Sequence, residues 1–289
     1  LSHLGVVGLQ LELGPADNID RIGEEVAAAK RRLPWVDLVL VGELAAFGAR
    51  RGEAQPMPGP AEDRFRQIAR DNGVWLAPGS LYEAAEGRIY NTAPIIDPAG
   101  AVVARCRKLY PFLPYETGIA AGEAPCVFDM PGVGRIGVSI CYDMWFPETT
   151  RALACLGAEV VLHPTMTNTI DRAAELAIAR ASAAQNQVWF LDINVAGELG
   201  VGRSGVYGPG GEVVHEAGAG REAIALDLDL AHVRRVRERG WMGLGQTLKS
   251  FRDGPGPFAP YQPGGRETPA LTALGPLVMP GARRTGDLP

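Results

Sequence analysis

Cysteine and histidine are scarce in this chain, with four of each among 289 residues, and neither is grouped. Cys106, Cys126, Cys141 and Cys155 contain no CxxC pair, and His3, His163, His215 and His232 form no ligand array. Those spacings exclude a zinc knuckle and a dithiol redox motif, so no metal is assigned. Four unpaired thiols suit a reducing, cytoplasmic setting. Positive charge is not in excess either. Lys plus Arg number 28 against 33 Asp plus Glu, a formal charge of −5, which offers nucleic acid no broad basic surface. The arginines of HVRRVRERG form only a local cluster, suited to a solvated helix face or a subunit contact. No apolar run is long enough for a bilayer, and the opening LSHLGVVGLQLELGPAD lacks the basic start, apolar stretch and cleavage site of a signal peptide. The Gly-rich stretches GPGG, PGGRE and GVGRSG lack a phosphate-loop ending or a dinucleotide fingerprint, so neither ATP nor NAD is implied and no cofactor is expected.

What the chain does have is apolar material, 46% of its residues, enough for a sizeable core. Strand-length apolar runs alternate with segments of helical spacing, the pattern of an α/β protein. Leu4 to Leu11 reads as an opening strand, and Ile19, Ile22, Val26 and Leu33 place a stripe along one helix face. Asp37 to Val41 follows as a strand, then a helix around Phe65, Ile68 and Ala69, then Val74 to Ala77. Arg88 to Ile96 and Ala101 to Arg107 are joined by the turn residues Asp97-Pro98-Ala99-Gly100, which favours an antiparallel ribbon and hence a mixed sheet. Pro125 to Phe128 and Arg135 to Ile140 repeat that arrangement. A helix from Pro147 to Leu156, a strand from Ala158 to Leu162, an Ala-rich helix from Arg172 to Gln187 and a strand from Val188 to Ile193 come next. Three more strands, at Arg203 to Tyr207, Val213 to His215 and Glu222 to Leu228, precede a basic helix from Ala231 to Arg239. Gly and Pro then dominate. The run DGPGPFAPYQPGGRE does not sustain a regular helix, so we expect one catalytic domain over residues 1–250 and an extended tail over 251–289.

Three strand exits carry reactive groups. Cys141, in RIGVSICYDMWFPE, lies between a predicted strand and a helix begun by Pro147, facing the crevice where ligands bind in open α/β structures. Glu43 ends DLVLVGE and Lys108 ends VVARCRK. A carboxylate takes a thiol proton, and an ammonium steadies both the thiolate and the oxyanion that develops when a carbonyl is attacked. Glu116, in LYPFLPYETG, joins this set if its loop buries it beside Lys108. Cys106, Cys126 and Cys155 sit within or beside apolar elements, where small hydrophobic packing suffices. Each of these residues taken singly also has a structural reading, as core thiol or solvated charge.

Taken together, VGELAAFG, RKLYPFLPYE and GVSICYDMWFPE resemble the nitrilase superfamily of carbon-nitrogen hydrolases, over Leu4 to about Leu228. The resemblance implies a four-layer α-β-β-α sandwich, with Cys141 as nucleophile, Glu43 as general base, Lys108 as cationic stabiliser and Glu116 as accessory carboxylate. It also implies an oxyanion donor in the backbone amide of Tyr142, and assembly as a homo-oligomer, a dimer or larger. Two positions depart from the family's usual pattern: Gly42 stands where a proline commonly precedes the base, and Trp145 where several amidase branches carry arginine. Trp145, Phe112, Tyr115 and Tyr142 are candidates for an aromatic pocket, and His163, Asn168, Asp171 and Asn194 for its walls. CYDMWFPE is more similar to amidase and N-carbamoyl amidase branches than to true nitrilases. The expected activity is thiol-dependent hydrolysis of a small carboxamide to a carboxylic acid and ammonia. An N-carbamoyl substrate, a nitrile, acyl transfer to an amine, and metabolite binding without catalysis remain the alternatives.

Overall fold

Alternate residues of a strand point to opposite faces, and here both faces of the central strands are apolar. In the computed structural model, which describes residues 2–280, the strand His3–Gln10 sends Leu4 and Val6 to one side and Val7 and Leu9 to the other. Leu38–Val41 divides its four side chains in the same way. Such strands need cover on both faces.

The cover comes from a second sheet on one side and helices on the other. The first sheet runs Glu222–Asp229, His3–Gln10, Leu38–Val41, Trp75–Ala77, Arg88–Ile96, Leu81–Ala85, with Val102–Arg107 and the short Ile119–Ala120 also paired to Arg88–Ile96. The second runs Val213–Glu216, Gly205–Tyr207, Trp189–Asn194, Val160–Thr165, Gly134–Val138, Cys126–Met130. Both are mixed, with parallel pairs at their centres. Leu4, Val6, Leu38 and Leu40 meet Ile136, Val138, Leu162 and Leu191 between the sheets. Outside the first sheet, Val7 and Val39 pack on Ile22 and Val26 of helix Ile19–Arg32 and on Phe65 of helix Pro60–Asn72. Outside the second, Val161 and Phe190 pack on Leu153 of helix Pro147–Cys155 and on Leu176 and Ala179 of helix Arg172–Asn186. The result is the expected α-β-β-α sandwich. Each buried leucine or valine removes apolar area worth roughly 1.5–3 kcal/mol.

Four expectations need correction or refinement. Cys106 and Cys126 are not reduced packing residues. They form a disulfide with Cα atoms 5.4 Å apart, joining Val102–Arg107 of the first sheet to Cys126–Met130 of the second. That bond removes part of the support that unpaired thiols lent to a cytoplasmic setting. The strand Leu81–Ala85 had no counterpart in the sequence reading. His163 does not follow its strand but lies within Val160–Thr165, fully buried. A helix, Thr247–Asp253, crosses the boundary expected at residue 250, and a one-turn helix, Pro269–Thr272, interrupts the tail, started by a proline and capped by the Thr268 hydroxyl. Residues 281–289 of the expected tail lie outside the described residues.

Candidate active site

Parallel strands leave a crevice beyond their carboxyl ends, and the site occupies it. Glu43 follows Leu38–Val41 by two residues, Lys108 directly follows Val102–Arg107, and Cys141 opens the short 3-10 helix Cys141–Trp145 after Gly134–Val138. Cys141 has φ +46° and Leu44, next to Glu43, has φ +49°. Left-handed backbone at a side chain with a Cβ costs about 1–3 kcal/mol and persists only where the surroundings fix it. Asp143 does the fixing at Cys141. Its Oδ2 accepts from the Ile140 amide at 2.9 Å and its Oδ1 from the Tyr110 amide at 2.8 Å, tying the loop after Lys108 to the turn that carries the thiol. Burial pushes the Asp143 carboxyl up to about 7, against the two amides that hold it down.

Lys108 is the centre of the site. Its Nζ donates to Glu43 Oε1 at 2.8 Å and to Glu116 Oε2 at 2.9 Å, with all three side chains withdrawn from solvent. Asn91 donates to Glu43 Oε1 at 2.8 Å, and the Phe112 amide donates to Glu116 Oε2 at 2.6 Å. Glu43 also faces the Cys141 thiol. Burial pulls the Lys108 ammonium down, but Glu43, Cys141 and Glu116 overcome it and hold it well above the usual lysine range. Burial raises Glu43, a shift that Lys108 opposes and Glu116 reinforces. Burial acts upward on Glu116 too, yet Lys108 and the hydrogen bonds from Lys108 and Phe112 bring it below the usual carboxylate range. The Cys141 thiol is raised by burial and by Glu43, with Lys108 opposing. The arrangement thus sets a thiol and a carboxyl group, both raised by burial, against an ammonium held above its ordinary range.

The carbon-nitrogen hydrolase profile matches residues 4–238. The chain belongs to that family. Among known structures this carbon-nitrogen hydrolase is similar to Nit3 of Saccharomyces cerevisiae, a member of branch 10 of the nitrilase superfamily: 27% identity, 82% of this chain and 94% of that one, TM-score 0.76. It is similar as well to the amidase of Nesterenkonia sp. AN1 in complex with butyramide, at 28% identity over 82% of this chain and 95% of that one, TM-score 0.72. Another form of the same amidase carries the acetamide moiety of fluoroacetamide on its active-site cysteine. Among curated proteins, an omega-amidase of Xenopus laevis is 30% identical over 201 residues, 64% of this chain and 72% of its own.

Around the polar centre of this hydrolase stands an aromatic rim. Phe112 stacks on Tyr115 with ring centroids 4.9 Å apart and meets Tyr142 edge-on at 4.9 Å, and Tyr142 lies 6.3 Å from Trp145. Trp145 and Tyr115 are exposed, Phe112 and Tyr142 half-buried. His163 is apart from the rim. Its Nδ1 is 2.6 Å from Ser139 Oγ, its ring lies 5.0 Å from that of Phe190, and burial lowers it to about 4. Asn168 is exposed, and its neighbour Thr167 takes the place beside the thiol, with Oγ1 3.9 Å from Cys141 Sγ. Asn194 lies behind Thr167, bonded to its amide and carbonyl, while Asp171 begins helix Arg172–Asn186. Asn91 and Thr167 escaped the sequence reading because a single neutral side chain has no periodic or charge signature.

Gly42 is explained by crowding. A Cβ there would lie 2.7 Å from Val195 Cγ1 and 2.8 Å from the Thr165 carbonyl oxygen, while the Glu43 amide donates to that same oxygen at 3.1 Å. Any side chain at 42, proline included, would press on the strand ends that hold Glu43. Gly42→Ala is expected to lose about 1–3 kcal/mol in urea unfolding and to lower kcat more than it raises KM.

Proposed function

We propose that this carbon-nitrogen hydrolase is a thiol-dependent amidase, which converts a small carboxamide to a carboxylic acid and ammonia through a thioester on Cys141. The observation that carries the reading is Lys108, buried between Glu43 and Glu116 at 2.8 and 2.9 Å and adjoining a cysteine fixed in left-handed backbone at a strand exit. In this mechanism Glu43 takes the Cys141 proton as sulfur bonds to the amide carbon. The carbonyl oxygen gains charge facing the Lys108 ammonium and the Tyr142 backbone amide. The C–N bond then breaks, the Glu43 proton passes to nitrogen, and ammonia leaves. Water enters, gives a proton to Glu43 and bonds to the thioester carbon. The C–S bond breaks, and the proton returns to sulfur. Glu116 acts on Lys108, holding its charge and position. The raised proton affinity of Glu43 suits a group that must take and give a proton in each half reaction.

The rim of Phe112, Tyr115, Tyr142 and Trp145 supports a small substrate held by apolar contact. The relatives named above, amidases and omega-amidases, support an amide over a nitrile. A homo-oligomer belongs to the same reading, since Leu271, Leu274, Leu277, Val278 and Met279 are exposed in the single chain. Incubation with a panel of small carboxamides and N-carbamoyl amines is the test. One ammonia per carboxylic acid, without carbon dioxide, is the expected stoichiometry. Equimolar carbon dioxide and amine would assign an N-carbamoyl amidohydrolase instead, and binding without product or cysteine adduct would leave only a metabolite-binding role.

A further inference from the structure

A second group of buried charges approaches Cys141 from the side of helix Arg172–Asn186 and has no part in the mechanism above. Arg172, 1% exposed, places Nη1 3.1 Å from Glu175 Oε2 and Nη2 2.8 Å from Asp192 Oδ2, and its Nε and Nη2 donate to the Arg203 carbonyl. Asp192 accepts from the Thr165 hydroxyl at 2.8 Å. Glu175 Oε1 is occupied by one donor, the Thr167 hydroxyl, at 3.0 Å. Thr167 itself is immobilised, because the Asn194 side chain accepts from its amide at 2.9 Å and donates to its carbonyl at 3.0 Å. From this clamped position Thr167 Oγ1 faces Cys141 Sγ at 3.9 Å.

A hydroxyl has one proton. Thr167 commits its proton to the Glu175 carboxylate, so what it turns toward the thiol is a pair of acceptor sites. At rest the thiol proton is shared with Glu43, and Sγ and Thr167 Oγ1 stand 3.9 Å apart. Once that proton has gone to Glu43, the hydroxyl oxygen confronts a thiolate with no donor between them, an unfavourable contact in a buried site. The reacting carbon of a substrate sits about 3–3.5 Å from sulfur, which brings an attached nitrogen within reach of Thr167. A carboxamide N–H supplies the missing donor. A nitrile or an ester has no hydrogen to offer there.

We propose that Thr167 accepts a hydrogen bond from the scissile carboxamide nitrogen, and that Glu175 is the positioning residue that keeps the Thr167 hydroxyl an acceptor. The assignment rests on the amidase reading and narrows it, since the site selects acyl compounds that present an N–H at the bond to be broken. Arg172 acts at one further remove, its guanidinium opposing the burial and the Asp192 charge that together raise Glu175 above the ordinary carboxylate range.

The experiment compares kcat/KM for the best carboxamide of the panel with that for the ethyl ester of the same acid. The measured quantity is the amide-to-ester ratio in the wild type and in Thr167→Val, Thr167→Ser and Glu175→Gln, each checked for folding by thermal melting. Thr167→Val is expected to lower the ratio about tenfold, the size of one buried hydrogen bond, and Thr167→Ser to keep it within about twofold. In Glu175→Gln the Arg172 guanidinium takes the amide oxygen, which leaves the NH2 group facing Thr167, so the hydroxyl turns its proton toward the site and the ratio falls at least threefold. A merely structural role would depress both substrates together. An unchanged ratio in Thr167→Val overturns the contact, and an unchanged ratio in Glu175→Gln overturns the positioning role. If the wild type turns over no carboxamide at all, the amidase reading falls and takes this assignment with it, whereas turnover with an unchanged ratio removes this assignment alone.

Discussion

Cys141→Ala is expected to abolish amide hydrolysis, lowering kcat on the order of 10⁶-fold, as removal of a covalent nucleophile does elsewhere. The same variant should show no mass increase after incubation with substrate. The fold should survive, because Cys141 is a small side chain at the edge of the inter-sheet core and Ala keeps the same Cβ in the same left-handed backbone. Cys155→Ala is the control. Cys155 is exposed at the end of helix Pro147–Cys155, so its loss should leave rate and adduct formation unchanged. Ammonia release and intact-protein mass spectrometry check both variants. Full activity in Cys141→Ala would remove the mechanism, since no other free thiol among the described residues is buried.

Lys108→Met removes the one cation between two buried carboxyl groups. Glu43 and Glu116 then face each other across an apolar side chain, with the desolvation of each uncompensated, and breaking a buried pair in this way costs about 3–5 kcal/mol. Loss of activity would follow from the missing ammonium alone, so stability is the more telling measurement. Its pH dependence has a definite sign. In the wild type Glu116 lies below its ordinary pKa because Lys108 outweighs burial. In the variant both carboxyls are raised above their unfolded values, so at intermediate pH the folded state binds more protons than the unfolded one. Stability is then greatest below about pH 4.5, the ordinary range of a glutamate, and falls as pH rises through the raised values. Urea unfolding at pH 7.5 and pH 5 should therefore show the variant recovering in acid relative to the wild type. Equal deficits at the two pH values would mean that the carboxylates do not depend on Lys108 for their charge.

Much of the site was legible because its charged members share a simple rule of placement. Glu43, Lys108 and Cys141 each stand at a strand exit, and strands announce themselves by short apolar runs whose ends are marked by polar residues. Their convergence needs those exits at one end of mixed sheets, and Val102–Arg107 reaches that end although its pairing with Arg88–Ile96 is antiparallel. What escaped was whatever depends on distance in space with no pattern along the chain. Cys106 and Cys126 are 20 residues apart and belong to different sheets, so nothing in their spacing foretells a bond between them. Leu81–Ala85 is short and holds Glu83, whose charge hides the strand from a search for apolar alternation. That carboxylate is buried because Arg107 and Thr92 bond to it. Asn168, expected as a wall residue, is exposed, and the inward place is one position earlier. Thr167, buried where Asn168 is exposed, is the residue turned inward.

The two amide bonds of Asp143, one to Ile140 and one to Tyr110, make the lysine loop and the cysteine turn a single mechanical piece. A molecule entering or leaving cannot spread nucleophile and cation apart without breaking both. Under the proposed mechanism, traffic through the crevice would fall to the outer aromatic side chains, of which Tyr115 and Trp145 are the most exposed. Under that mechanism catalytic geometry and passage belong to different parts of the protein, and bulk traded at the entrance should leave the chemistry beneath it undisturbed.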